Sequence, residues 1–188
     1  MGCRLLLTSF TTWKPEQVTN SSDDILLALE QVGLPASIAL LRQIPVDFEI
    51  APQRAIAHFE ALQPQGIICF GMAERRDRLD LERKATDDTM TLETSLDLEA
   101  LKQDLPFTTI SDDAGRFVCN GLYLAMLQFL EHRYPDRFAL FVHVPILTLE
   151  NRDAILHDVW AIINRLGLGT IPIAKSEMFR PFIPPAEL

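Results

Sequence analysis

Short apolar runs alternate along this chain with longer stretches of helical period, and most junctions between them carry Gly, Pro or small polar residues. A chain patterned this way buries its apolar runs as strands of one sheet and lays its helices on the sheet faces. Residues 3–10 are an apolar run followed by the polar Thr11, Thr12, Lys14, Pro15 and Glu16, which reads as a strand and then a loop. Ser21 or Ser22 can cap a helix with Asp23 and Asp24 in its first turn, Ile25, Leu26, Leu29 and Val32 at helical spacing, and Gly33 and Pro35 to stop it. The pattern continues with strands over 37–44, 66–71, 107–110 and 138–146 and helices over 52–62, 116–133 and 151–166, with a second short segment at 79–85 and a shorter helical stretch at 96–105. Runs such as Gly66-Ile67-Ile68-Cys69-Phe70-Gly71, apolar on both faces, belong in the centre of a largely parallel sheet. We therefore expect an α/β fold, a single domain over residues 1–188 with a Pro-rich tail from about residue 169 that has no clear period.

Composition narrows the function classes. Hydrophobic residues make up 48% and charged residues 23% of the 188, which is globular composition with enough length for a core of its own. The net charge of −9, from 17 basic and 26 acidic residues, leaves no basic stripe to displace counterions from a nucleic-acid backbone or to bind an anionic membrane. Cys3, Cys69 and Cys119 form no CxxC pair, so neither a disulfide framework nor a zinc site is expected, and no metal or cofactor is invoked. No apolar run reaches the roughly 20 residues that cross a bilayer. The amino terminus has too short an apolar stretch for a signal peptide, and a cytoplasmic location is the expectation.

In open α/β sheets chemistry gathers where strands end and the next element begins. Cys119 falls in the first turn of the apolar helix, where free backbone N–H groups and the helix dipole favour a thiolate and could hold an oxyanion. His143 stands near the end of Phe138-Ala139-Leu140-Phe141-Val142-His143-Val144-Pro145-Ile146, an apolar strand in which a polar ring needs a partner. Glu82 follows Leu79-Asp80-Leu81 and could orient that ring. A cysteine served by a histidine that a carboxylate orients is the triad of nucleophilic acyl transfer. On pattern alone the blander readings stand beside it: Cys119 as a small core hydrophobe, His143 as a core histidine satisfied by backbone, Glu82 as a surface carboxylate beside Arg83. Cys3 and Cys69 read as core, and Glu74-Arg75-Arg76-Asp77-Arg78 as a solvated face.

Ser111-Asp112-Asp113-Ala114-Gly115-Arg116-Phe117-Val118-Cys119-Asn120 resembles the nucleophile motif of the pyroglutamyl peptidase I family, cysteine peptidases that remove amino-terminal pyroglutamate. Phe141-Val142-His143-Val144-Pro145 is similar to that family's histidine motif. Gly71-Met72-Ala73 through Glu82-Arg83-Lys84-Ala85 resembles its glutamate segment, and Leu5-Leu6-Leu7-Thr8-Ser9-Phe10 its first strand. The resemblance implies a three-layer α/β/α sandwich around a mixed, largely parallel sheet of the phosphorylase/hydrolase-like type. It implies Glu82 as orienter, Cys119 as nucleophile, His143 as base and acid, and a pyroglutamyl peptide or small amide as substrate, with no cofactor; a homo-oligomer is left open.

The departures from the family pattern bear on specificity. Phe10 and Trp13 could supply the two aromatic faces of the lactam pocket, but Lys14 and Pro15 stand where paired glycines are expected. Met72 replaces a glutamine that some members carry, and the stretch between Glu82 and Cys119 is shorter than the family's, with part of the substrate cover missing. The expectation is a weakly active peptidase; the alternative is a relative with altered specificity or a non-catalytic binding protein on the same fold.

Overall fold

The computed structural model describes residues 2–168. Its elements are β1 (Leu5–Phe10), α1 (Ser21–Val32), β2 (Ile38–Ile44), α2 (Ile50–Leu62), β3 (Gly66–Met72), β4 (Leu79–Glu82), β5 (Lys84–Thr86), β6 (Thr91–Glu93), α3 (Leu98–Lys102), β7 (Thr108–Ser111), α4 (Val118–Arg133), β8 (Phe138–Val144) and α5 (Arg152–Ile163), followed by a π-helical turn (Asn164–Leu168). Six strands form one sheet in the order β2-β1-β3-β8-β4-β7, and β5 and β6 form a separate hairpin. The first four strands of that order are mutually parallel, whereas β4 runs antiparallel to β8 and parallel to β7.

Side-chain alternation along the central strands builds a core on each face. Leu5 and Leu7 of β1 join Ile25, Leu26, Ile155 and Val159 of α1 and α5, while Leu6 and Phe10 join Phe59, Leu122, Tyr123 and Met126 of α2 and α4. Every residue of β1 is buried, which explains a run without period. The fold is thus the α/β architecture with helices on both sides of a mostly parallel sheet that the alternation predicts, made mixed by β4, as the family resemblance implies. Fully burying one of these Leu, Ile or Phe side chains contributes about 1.5–3 kcal/mol.

The reversal of β4 is what positions the site. The chain leaves β3 and re-enters the sheet after residues 73–78, too short a link for the crossover of a dozen or more residues that a parallel neighbour needs. It can only turn back, and β8 later fills the gap between β3 and β4.

Several local details differ from the sequence reading. The cap of α1 is Asn20, whose side chain accepts from Ser22 N, while Ser22 Oγ is drawn instead to Asn20 Oδ1 and to Phe10 N. The 79–85 segment divides at Arg83 into β4 and β5, and β5 then pairs with β6, a hairpin of two three-residue strands in which only Ala85 and Leu92 pack against the core. Cys3 lies ahead of β1 and is half-buried, not core. The Pro-rich tail from about 169 falls outside the described residues.

Candidate active site

Three elements converge on His143. It is the last but one residue of β8, paired in register with Gly71 of β3 on one side and Asp80 of β4 on the other. In the antiparallel β4–β8 ladder facing residues share a side of the sheet, so Asp80 and Glu82 point to the face that carries Phe141 and His143. His143 Nδ1 lies 2.6 Å from Glu82 Oε1, and Nε2 lies 3.8 Å from Cys119 Sγ. The carboxylate only accepts, so Nδ1 carries the proton and Nε2 faces the sulfur. The structure therefore brings together Cys119, His143 and Glu82, three residues far apart in sequence. Glu82 is fully buried, His143 is 6% exposed and Cys119 is partly open to solvent.

Helix α4 is fixed to this arrangement by residues that the sequence reading did not single out. Tyr123, one turn after Cys119, donates its hydroxyl proton to Glu82 O at 3.0 Å. Asn120 grips β5 at both ends of its amide, accepting from Thr86 N at 3.2 Å and donating to Thr86 O at 2.8 Å. At the start of the helix Gly115 adopts φ +74°, and its N–H donates to Asp113 Oδ1 at 3.0 Å, turning the chain into α4. The cap residue Phe117 has no side-chain acceptor, so the first-turn N–H groups are not consumed by a cap.

Gly71 is required for a different reason. A Cβ at this position would stand 2.8 Å from the Phe141 ring and 3.3 Å from Cys119 Cβ, so the helix reaches the sheet only because this residue has no side chain. Gly71→Val is expected to push α4 outward, lower stability by about 1–3 kcal/mol through overpacking, and slow Cys119 alkylation along with turnover; thermal unfolding and thiol labelling check this together.

Burial pushes His143 toward its neutral form, but the hydrogen bonds that the ring makes to Cys119 and Glu82 outweigh it and hold its pKa up to about 9 against an ordinary 6.5. Cys69, fully buried on β3, is pushed up to about 12 by burial and stays a neutral thiol.

Of the residues expected to line a substrate pocket, Phe10 is 3% exposed and packs into the α2/α4 core. Trp13 is 38% exposed on the loop after β1, whose Trp13 N and Lys14 N both donate to Gln17 Oε1. Lys14 and Gln17 then reach Glu74, tying this loop to the one after β3. Met72 Sδ accepts from Ser21 N at 3.3 Å and Ser21 Oγ at 3.2 Å, so the thioether is engaged by the start of α1. The run 74–78 is not simply a solvated face: Arg76 turns inward to Asp80 and Glu82 because two buried carboxylates on one strand face need a cation.

No protein-family model matches the chain. Sequence comparison finds pyrrolidone-carboxylate peptidase 1 of Caldanaerobacter subterraneus, 25% identical over 170 residues that take in 77% of this chain and 83% of the relative. A pyrrolidone-carboxylate peptidase of Streptococcus pneumoniae is 25% identical over 171 residues, covering 77% of this chain and 78% of its own length. Among solved structures, pyroglutamyl peptidase I from Bacillus amyloliquefaciens superposes with a TM-score of 0.75 at 19% identity, over 90% of this chain and 97% of that one. The chain is similar in sequence and in fold to pyroglutamyl peptidases. The structural match reports a shared fold, and the sequence matches point to the same group of proteins. Among the described residues no helix is long and apolar enough to cross a membrane, and no group of three or more His, Cys, Asp and Glu side chains could hold a metal ion.

Proposed function

We propose that this chain is a cysteine peptidase that releases pyroglutamate from the amino terminus of peptides, with Cys119 as nucleophile, His143 as general base and acid, and Glu82 as the residue that orients His143. The observation that carries the reading is the continuous relay from Cys119 Sγ to His143 Nε2 and from His143 Nδ1 to Glu82 Oε1, on a fold shared with pyroglutamyl peptidases. The sulfur attacks the carbonyl carbon of the pyroglutamyl residue and the carbonyl electrons move to its oxygen, which the first-turn N–H groups of α4 are placed to receive. His143 then gives its proton to the leaving amine as the C–N bond breaks, and the acyl group stays on sulfur. A water that loses its proton to His143 hydrolyses this thioester and returns the free enzyme.

The substrate side is expected to be weakly built. A glutamine side chain could pair with a lactam, but Met72 cannot, and its sulfur is already engaged by Ser21. Each substrate group left unpaired costs about 1–3 kcal/mol, or roughly ten- to a hundredfold in kcat/KM. Release of a fluorophore from a pyroglutamyl amide by the purified chain should be measurable but slow, and Trp13→Ala should reduce it through KM. Iodoacetamide should label Cys119 ahead of Cys69. Absence of turnover with a labelled Cys119 favours the altered-specificity or binding-protein reading, and preferential labelling of Cys3 or Cys69 removes Cys119 from its role.

A further inference from the structure

The β4 strand places a second carboxylate beside the triad. Asp80 is directly opposite His143 in the β4–β8 ladder, on the same face as Glu82, and is 3% exposed. It does not bind the ring; its Oδ2 holds the guanidinium of Arg76. That guanidinium also lies 3.6 Å from Glu82 Oε1, the oxygen that accepts from His143, and it donates to Asp113 O at 3.0 Å and Ser111 Oγ at 3.5 Å in the turn ahead of α4. Arg76 thus touches both halves of the site, the strand of the orienting carboxylate and the turn that delivers the nucleophile.

A lone cation in that position would compete with His143 for Glu82 and would place its charge against an imidazolium. The other groups on this face do not offset it. Tyr123 of α4 is raised well above its usual range by burial and is neutral, Cys69 of β3 is a neutral thiol, and Asp112, beyond β7, is paired with Arg83. Cys119 of α4 is the partner of His143 itself. Asp113 offers Arg76 its backbone oxygen, while its carboxylate accepts from Gly115 N. Asp80 is the one further carboxylate directly paired with Arg76 among these groups, and it is short enough to hold the guanidinium without reaching the ring.

Resting on the peptidase reading above, we propose that Asp80 is a positioning residue of this site: by balancing the charge of Arg76, it lets that guanidinium brace Glu82 and the 111–113 turn while Glu82 Oε1 remains with His143. Burial, with Glu82 nearby, leaves the Asp80 carboxyl above its ordinary value, and the guanidinium, which does not deprotonate, offsets part of that rise.

The test is the titration of the His143 ring, followed by NMR in the full-length chain and assigned by the signal lost in His143→Gln. Asp80→Asn should lower the midpoint by on the order of one pH unit, and Arg76→Met should raise it by a similar amount. The double variant should return to within roughly 0.3 unit of the wild type, because it removes one charge of each sign. A purely structural role for Asp80 predicts that the single and double Asp80 variants shift alike, and that result overturns the proposal, as does an unmoved midpoint in Arg76→Met. If Asp80→Asn does not fold, the Arg76→Met shift decides alone. The readout does not depend on turnover: an inactive wild type with these shifts overturns the peptidase reading and leaves the charge balance standing, whereas an active enzyme without them does the reverse.

Discussion

Cys119→Ala is expected to reduce hydrolysis of a pyroglutamyl amide by about four orders of magnitude or more, to the limit of detection, while leaving the fold intact. Cys119 is partly exposed at the start of α4 and its sulfur touches the His143 ring, so the substitution removes the atom proposed to react without opening a core cavity. His143→Ala should cost about as much, because members of one relay act as a unit and their effects do not add. A double variant slower than either single one by the product of the two losses would argue that the two residues work separately. The measurement is kcat/KM for each variant against the same amide, with unfolding curves to show that Cys119→Ala keeps wild-type stability. Turnover that survives in Cys119→Ala would assign the activity to another group.

Glu82→Gln should be nearly as damaging, with kcat down by about two to four orders of magnitude, and it should change the pH dependence as well. The amide that replaces the carboxylate would keep a hydrogen-bonding group against Nδ1 but no charge, so the imidazolium loses one of its two supports. The alkaline limb of the pH–rate profile, set by a ring held near 9, is then expected to move toward the ordinary 6.5. Stability follows the same linkage. A folded pKa of about 9 against an unfolded 6.5 means that the His143 interaction contributes fully below pH 6.5 and is lost as pH rises through 9. The wild type should therefore lose on the order of a few kcal/mol between those limits, and Glu82→Gln much less of it. Denaturant unfolding at pH 6 and pH 10 measures this directly, and equal losses in the two proteins would detach Glu82 from the charge state of His143.

Much of the fold is legible in the sequence because each apolar run has to find a partner sheet and each amphipathic helix a face to cover. The runs at 3–10, 66–71 and 138–146 form β1, β3 and β8, and the apolar stretch 116–133 forms α4. The three residues brought together at the site are legible for a different reason: each stands near a junction of two elements, where side chains can leave the core. The cap of α1 is not legible because Asn20, Ser21 and Ser22 are all competent caps, and the choice among them depends on Phe10 N and Thr11 O, groups brought near by the fold. The β5–β6 hairpin is hidden because strands of three residues, each with a single apolar side chain, are too short for a hydrophobic period to be read.

What the sequence determined by itself is the alternation of strands and helices, the two-sided burial of the central strands, and the presence of Cys119, His143 and Glu82 near element boundaries, since these follow from local period and composition. The neighbour of β4 was decided by tertiary structure, because a short link after β3 dictates a return but not which strand will lie beside it. With that pairing came the placement of Asp80 opposite His143, the inward turn of Arg76 and the approach of α4 over Gly71. Charge and clearance at the site are sums over residues distant in sequence, so only the assembled sheet could set them.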